Sequence, residues 1–178
     1  MQKKQKEKPN YAFIDGQNLY LGTKESGFDL EYGKFRIYLR EKYKIERAYI
    51  FIGYIEKNKD LYDSLQDQGY ILKFKPVLPA KKGLKQKGDV DADMAFNIMK
   101  YYKEYYGAVL ITSDGDFDTI VAYLRKKKKL TAVISPSKEK CSSLLQKAAQ
   151  EKIFYIENIG QKIEKAPPRD ETQSSAFS

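Results

Sequence analysis

Short, densely apolar runs alternate along the chain with longer stretches in which apolar residues recur every three or four positions. The apolar runs cover residues 11–15, 47–54, 70–76, 107–112, 130–135 and 153–156, lengths and compositions that suit buried strands. The amphipathic stretches, at 30–43, 57–68, 90–106, 117–127 and 138–150, suit helices lying on a sheet. Strand–helix alternation with apolar strands predicts an α/β fold in which a mostly parallel sheet is covered on both faces. In such sheets the functional crevice lies beyond the carboxyl ends of the strands.

The pattern also sets boundaries. Residues 1–10 read as a basic, flexible N-terminus, 11–157 as the folded domain, and 158–178 as a C-terminal extension that is mostly disordered. A length of 178 residues allows one ordinary domain. The longest strongly apolar stretch, 48–55, contains Gly53 and falls far short of the roughly 20 residues a membrane helix needs. No membrane association is expected, and the lysine-rich start lacks the apolar core of a secretory signal, so a cytoplasmic protein is expected. The sequence leaves oligomeric state open, a homo-oligomer included.

Composition then restricts the chemistry. With no His and a single Cys, Cys141, the chain cannot build a Ser-His-Asp triad, a Cys-His pair, a zinc finger or an intrachain disulfide. Thirty-three Lys and Arg against 24 Asp and Glu give a net charge of +9, which points to a polyanionic partner such as nucleic acid. Against that basic background, Asp15, Asp89, Asp91, Asp93, Asp114, Asp116 and Asp118 gather in three tight clusters.

Asp15 closes the first strand in Phe13-Ile14-Asp15-Gly16-Gln17-Asn18, where an Asp before Gly also suits a plain turn. Asn18 suits either a contact to a water or phosphate oxygen or a helix N-cap. The second cluster, Lys87-Gly88-Asp89-Val90-Asp91-Ala92-Asp93-Met94, enters a helix. At about 100° per residue, Asp91 shares a side with Met94, Ala95, Ile98, Tyr102 and Tyr105. Asp93 groups instead with Asn97, Lys100 and Glu104 on the polar side, and Asp89 lies near the helix entry. A carboxylate on a buried stripe is costly unless charge compensates it, and a bound cation would compensate Asp91. In the third cluster, Thr112-Ser113-Asp114-Gly115-Asp116-Phe117-Asp118, the spacing Ser113-x-x-Asp116 fits a helix cap. Capping accounts for Asp116 and leaves Asp114 unexplained; Asp118, on the second turn, is set aside.

Three junctions expected on one sheet edge each supply at least one Asp. Packed as bare anions, Asp15, Asp91, Asp114 and Asp116 would repel one another, and a divalent cation resolves the conflict. Oxygen ligands without His or Cys favour the hard ions Mg2+ or Mn2+. Such ions acidify a water for attack on phosphorus and neutralise the developing charge.

These motifs, in this order, resemble the NYN family of PIN-like nucleases, specifically its LabA-like branch, over residues 11–157. The resemblance implies a PIN-like three-layer α/β/α sandwich and a Mg2+- or Mn2+-dependent nuclease acting on RNA. By position, the family's first-strand Asp falls on Asp15, its nearby Asn on Asn18 and its Val-Asp element on Asp91. Its Ser-x-Asp-x-Asp-Phe-like element, opened here by Ser113, places acids at Asp114 and Asp116. Gln150 stands where relatives often carry an Asp, which removes that accessory carboxylate. Two rival functions share the same residues: a catalytically silent RNA-binding domain, and a nucleotide-sugar transferase using Asp91-x-Asp93 and Asp114-x-Asp116.

For substrate contacts, Lys81, Lys82, Lys85 and Lys87 form a loop that leads into Asp91 and is expected to overhang the acids, with Asn18 and Ser113 as further contacts. The denser run at 125–129 ends a helix that returns across the sheet, so it is expected at the opposite edge. Tyr101, Tyr102, Tyr105 and Tyr106 offer stacking faces for bases or core material, with Tyr102 and Tyr105 on the buried stripe.

Overall fold

A computed structural model of the chain describes residues 8–27, 29–76 and 90–166. Six strands, β1 (Asn10–Asp15), β2 (Ile45–Tyr54), β3 (Tyr70–Pro76), β4 (Ala108–Ile111), β5 (Leu130–Ser135) and β6 (Ile153–Tyr155), form one sheet in the order β3-β2-β1-β4-β5-β6. Every neighbouring pair is parallel. The helices are α1 (Gly16–Glu25), α2 (Tyr32–Tyr43), α3 (Lys59–Asp67), α4 (Asp91–Lys100), α5 (Asp118–Lys126), α6 (Ser143–Ala149) and α7 (Gly160–Ile163). Among the described residues, no helix is long and apolar enough to cross a membrane.

Period-two alternation along buried strands explains the three layers. Tyr11 and Phe13 of β1 turn to one face with Met94 and Ile98 of α4, Val121 and Leu124 of α5, and Leu145 of α6. Ala12 and Ile14 turn to the other with Leu19 of α1, Phe35 and Leu39 of α2, Leu65 of α3 and Ile163 of α7. The sheet grows outward in both directions from the β1–β4 pair, through β2 and β3 on one side and β5 and β6 on the other. That reversal is the topological switch point, where a crevice opens beyond the strand ends.

Three elements depart from the expected pattern. Helix α1 carries only one buried aliphatic side chain, Leu19, between buried Gly16, Gly22 and Thr23, so it shows no amphipathic stripe in the sequence. Helix α4 stops at Lys100 instead of running to residue 106, because Tyr106 N–H must reach the Pro9 carbonyl and Gly107 N–H the Asn10 side chain to start β4. The Lys129 ammonium takes the carbonyls of Tyr102 and Tyr105 left by that early stop. Helix α6 begins at Ser143 because Ser142 N–H is bonded to the Ser113 carbonyl, which holds the preceding segment against β4. The extension after residue 157 starts as ordered chain: Ile163 is fully buried, and Lys165 N–H donates to the Asp29 carbonyl.

Candidate metal centre

Strand β1 delivers Asp15 to the crevice with 6% exposure, on the face that Phe13 also occupies. Its Oδ1 accepts the Asn18 N–H at 3.0 Å, so Asp15 is the N-cap of α1. Asn18 therefore sits inside the first turn, and its Oδ1 accepts Ser113 N–H at 2.8 Å, tying the β1–α1 junction to the end of β4 across the switch point. With that oxygen turned to Ser113 N–H, the Nδ2 protons are what Asn18 offers an anionic substrate oxygen.

Ser113 is buried, and its hydroxyl is already engaged. Ser135 Oγ donates its one proton to the Ser137 carbonyl, so in the 2.8 Å contact between the two hydroxyls Ser113 must be the donor. In this arrangement no proton is left on Ser113 Oγ for a phosphate oxygen, and the hydroxyl ties the ends of β4 and β5 together at the wall of the cleft. The expected Ser113 cap is replaced by another. Asp114 caps the short helical turn Gly115–Phe117 by accepting Asp116 N–H at 2.9 Å, while Thr112 Oγ1 accepts Asp114 N–H at 3.1 Å. Capping thus accounts for Asp114, and Asp116 is the exposed acid at the head of the turn.

Asp91, the first residue of α4, is half-buried and completes the arrangement. One carboxylate oxygen each from Asp91, Asp114 and Asp116 lie within 4.8 Å of one another. Asp15 lines the same cleft, of about 680 Å³, without belonging to that close group. Asp93, two residues further along the helix, is exposed and pairs with Lys75 at 3.7 Å, while Asp118 accepts the Thr119 hydroxyl at 2.9 Å. Lys81, Lys82, Lys85, Lys87 and Asp89 lie outside the described residues.

Sequence reasoning missed the opposite wall. Glu25, at the end of α1, and Lys140, in the segment before α6, line the cleft and form a 2.6 Å ion pair. They stand 115 residues apart and belong to no motif, so only the fold brings them together. Cys141 beside them is buried, and burial pushes its thiol up, which keeps it from serving as a thiolate nucleophile.

The second lysine run is at the far edge, as the returning helix predicts: the Lys129 carbonyl accepts Ala108 N–H at the very start of β4. The tyrosines are there too. Tyr101 stacks on Tyr49 at 5.1 Å, Tyr105 is fully buried and Tyr106 is exposed, and none of the four lines the acid cleft.

Three clustered carboxylates with no nitrogen or sulfur donor are a hard-oxygen set, suited to Mg2+ or Mn2+. An acidic cleft at the switch point of a parallel α/β/α sandwich is the arrangement expected of a PIN-like nuclease domain. The chain belongs to the NYN domain family, which it matches over residues 11–157. It is 24% identical over 132 residues to the low amplitude and bright protein LabA of Synechococcus elongatus, covering 69% of this chain and 71% of that one. Its fold is similar to the crystal structure of a protein of unknown function from Vibrio parahaemolyticus. The TM-score is 0.73 at 19% identity, covering 88% of this chain and 96% of the other. NYN domains are generally nucleases, so membership supports a nuclease-type domain and implies nucleic acid as the substrate class.

Proposed function

We propose that the protein is a Mg2+- or Mn2+-dependent ribonuclease. The convergence of Asp91, Asp114 and Asp116 within 4.8 Å, in a cleft at the switch point of an NYN fold, is the observation that supports this reading. These three residues would hold the ion, which supplies acidification of a water and neutralisation of charge on the phosphoryl oxygens. Asp15, buried at the sheet edge of the cleft, orients the attacking water as an acceptor. Asn18, fixed by Ser113 N–H, offers its Nδ2 protons to a non-bridging phosphate oxygen. Lys140 exchanges Glu25 for a neighbouring phosphate, an exchange helped by the exposure of both partners. The water oxygen bonds to phosphorus as the bond to the leaving ribose oxygen breaks; the attacking water's proton passes through the carboxylates to solvent, and the leaving ribose oxygen takes a proton from a solvent water to depart as a hydroxyl. Of the two Asp-x-Asp elements that the transferase alternative uses, Asp114-x-Asp116 lies in the carboxylate group, whereas Asp93 of Asp91-x-Asp93 stands outside it and faces Lys75, so only one element is assembled.

The test is incubation with labelled single-stranded RNA and Mn2+ or Mg2+, with and without chelator, beside a matched DNA strand. Cleavage should require the ion and favour RNA. Asp91→Asn should lower it about 100-fold, the order lost when one electrostatic contact to developing charge is removed. Asp93→Asn should retain most activity. Binding without cleavage under every ion condition would identify a silent RNA-binding domain instead.

A further inference from the structure

We propose that a single nucleic-acid strand leaves the acid cleft along the groove between α4 and α5 and is anchored at the groove's far end by Lys126, Lys127 and Lys128. The inference rests on the nuclease reading and adds to it the route of the substrate. A second hollow, of about 490 Å³, opens between the two helices and shares Asp91 and Asp116 with the acid cleft, so the two are continuous. Away from those carboxylates it is walled by Ala95 and Met99 of α4 and by Ile120 and Tyr123 of α5, an apolar surface. Met99 is 42% exposed and Tyr123 40%, which leaves an aromatic face and a thioether open at the surface. Such a surface suits nucleobases, whose faces are apolar and stack on aromatic rings whatever their sequence.

Charge along the groove is complementary to a strand laid in this direction. Its acidic end is where a cation would sit beneath the scissile phosphate. Its other end is basic: Tyr123 lies one turn before the exposed Lys126 and Lys127, and the Lys127 ammonium stands 5.8 Å from the centre of the Tyr123 ring. Helix α5 spans about 12 Å, enough for a few nucleotides between the two ends. Lys129 is excluded from this role, since its ammonium is held by the Tyr102 and Tyr105 carbonyls and sits 4.7 and 4.6 Å from their rings. The remaining three lysines are exposed.

Binding of a labelled single-stranded oligouridylate and of its abasic counterpart is measured in chelator, so that nothing is cut, across a salt series. The triple variant Lys126→Gln, Lys127→Gln, Lys128→Asn removes three cations, with Asn chosen because Lys128 has φ 56°. It should lower the log–log salt slope by about 2, at about 0.7 per single-strand phosphate contact. Tyr123→Ala should weaken the oligouridylate about tenfold, as expected for loss of one stacked base, and the abasic strand hardly at all. Far-ultraviolet melts confirm that the variants fold. A wild type that binds and cuts RNA while both variants bind it unchanged would overturn the route and leave the nuclease reading standing. A wild type that neither binds nor cuts would remove both. If either variant instead dissociates a dimer in sedimentation, the groove holds a second copy of the chain and the proposal fails.

Discussion

Asp114 serves two purposes with one carboxylate: it caps the turn that follows β4, and it faces Asp91 and Asp116. The two roles respond differently to substitution. Asn keeps an oxygen for Asp116 N–H and removes one crowded charge, so Asp114→Asn should melt no lower than wild type in chelator. Ala loses the cap as well, which costs about 1 kcal/mol at such a position. Asp114→Ala should therefore melt below the Asn variant. Thermal melts of the two proteins side by side check the order, and equal melting would show that the cap contributes nothing. Asn18 and Ser113 teach a related point. Their types suit substrate contacts, but a hydrogen bond between the two junctions uses the Asn18 oxygen, and a hydroxyl chain uses the Ser113 proton.

Elements were legible where the chain's own pattern decides their structure. The bounds of β3 and β5 coincide with the runs at 70–76 and 130–135 for different reasons: β5 is buried along nearly its whole length and reads as a continuous run, whereas β3 is an edge strand that carries Lys73 and Lys75 and is marked by Tyr70, Ile71 and Phe74. Rotation at 100° per residue likewise separates Asp91, beside the other acids, from Asp93, paired with Lys75. Helix α1 was illegible because its demands are tertiary. A Cβ on Gly22 would stand 2.6 Å from the Pro136 Cβ and 3.0 Å from its carbonyl, so the helix packs by having no side chain there. Asp15 three residues before Asn18, with Lys24 in the last turn, was the signal available for it. Gly22→Ala should destabilise by about 1–3 kcal/mol through overpacking against backbone that cannot yield. Gly160, helical at φ −45° and with open space around its Cβ position, is the control. Gly160→Ala should be neutral or stabilise by about 0.4–1 kcal/mol. Urea unfolding of both variants measures the difference, and equal stability would mean that α1 shifts away from Pro136 at no cost. Glu25 and Lys140 mark the limit of legibility, since nothing local in either segment predicts their pairing.

At the scale of the whole molecule, carboxylates occupy one edge of the sheet, and the packing beneath it is rich in buried tyrosine. Tyr70 donates its hydroxyl to the Tyr32 carbonyl at 2.7 Å and Tyr105 to the Ile98 carbonyl at 3.1 Å, so both must keep their protons in the folded state. Burial pushes Tyr32 up to about 12, and pushes Tyr43, Tyr70 and Tyr105 higher still. In the unfolded chain all four lose their protons near pH 10. The folded protein therefore binds more protons than the unfolded one above that pH, and stability falls as pH rises through 10 towards 12. Lys129 acts in the opposite sense and in a lower window. Burial lowers its pKa, so the unfolded chain holds the extra proton just below 10.5, and stability rises there with pH. One half-exposed lysine opposes four tyrosines, and the alkaline loss should dominate. Urea midpoints at pH 8, 9.5 and 11 should show a clear fall only over the last interval. Tyr105→Phe, weakened at pH 8 by the missing hydrogen bond, should lose less than wild type between pH 9.5 and 11. Midpoints that hold steady to pH 11, or a Phe variant that falls as steeply as wild type, would show that these hydroxyls are solvated in the folded protein.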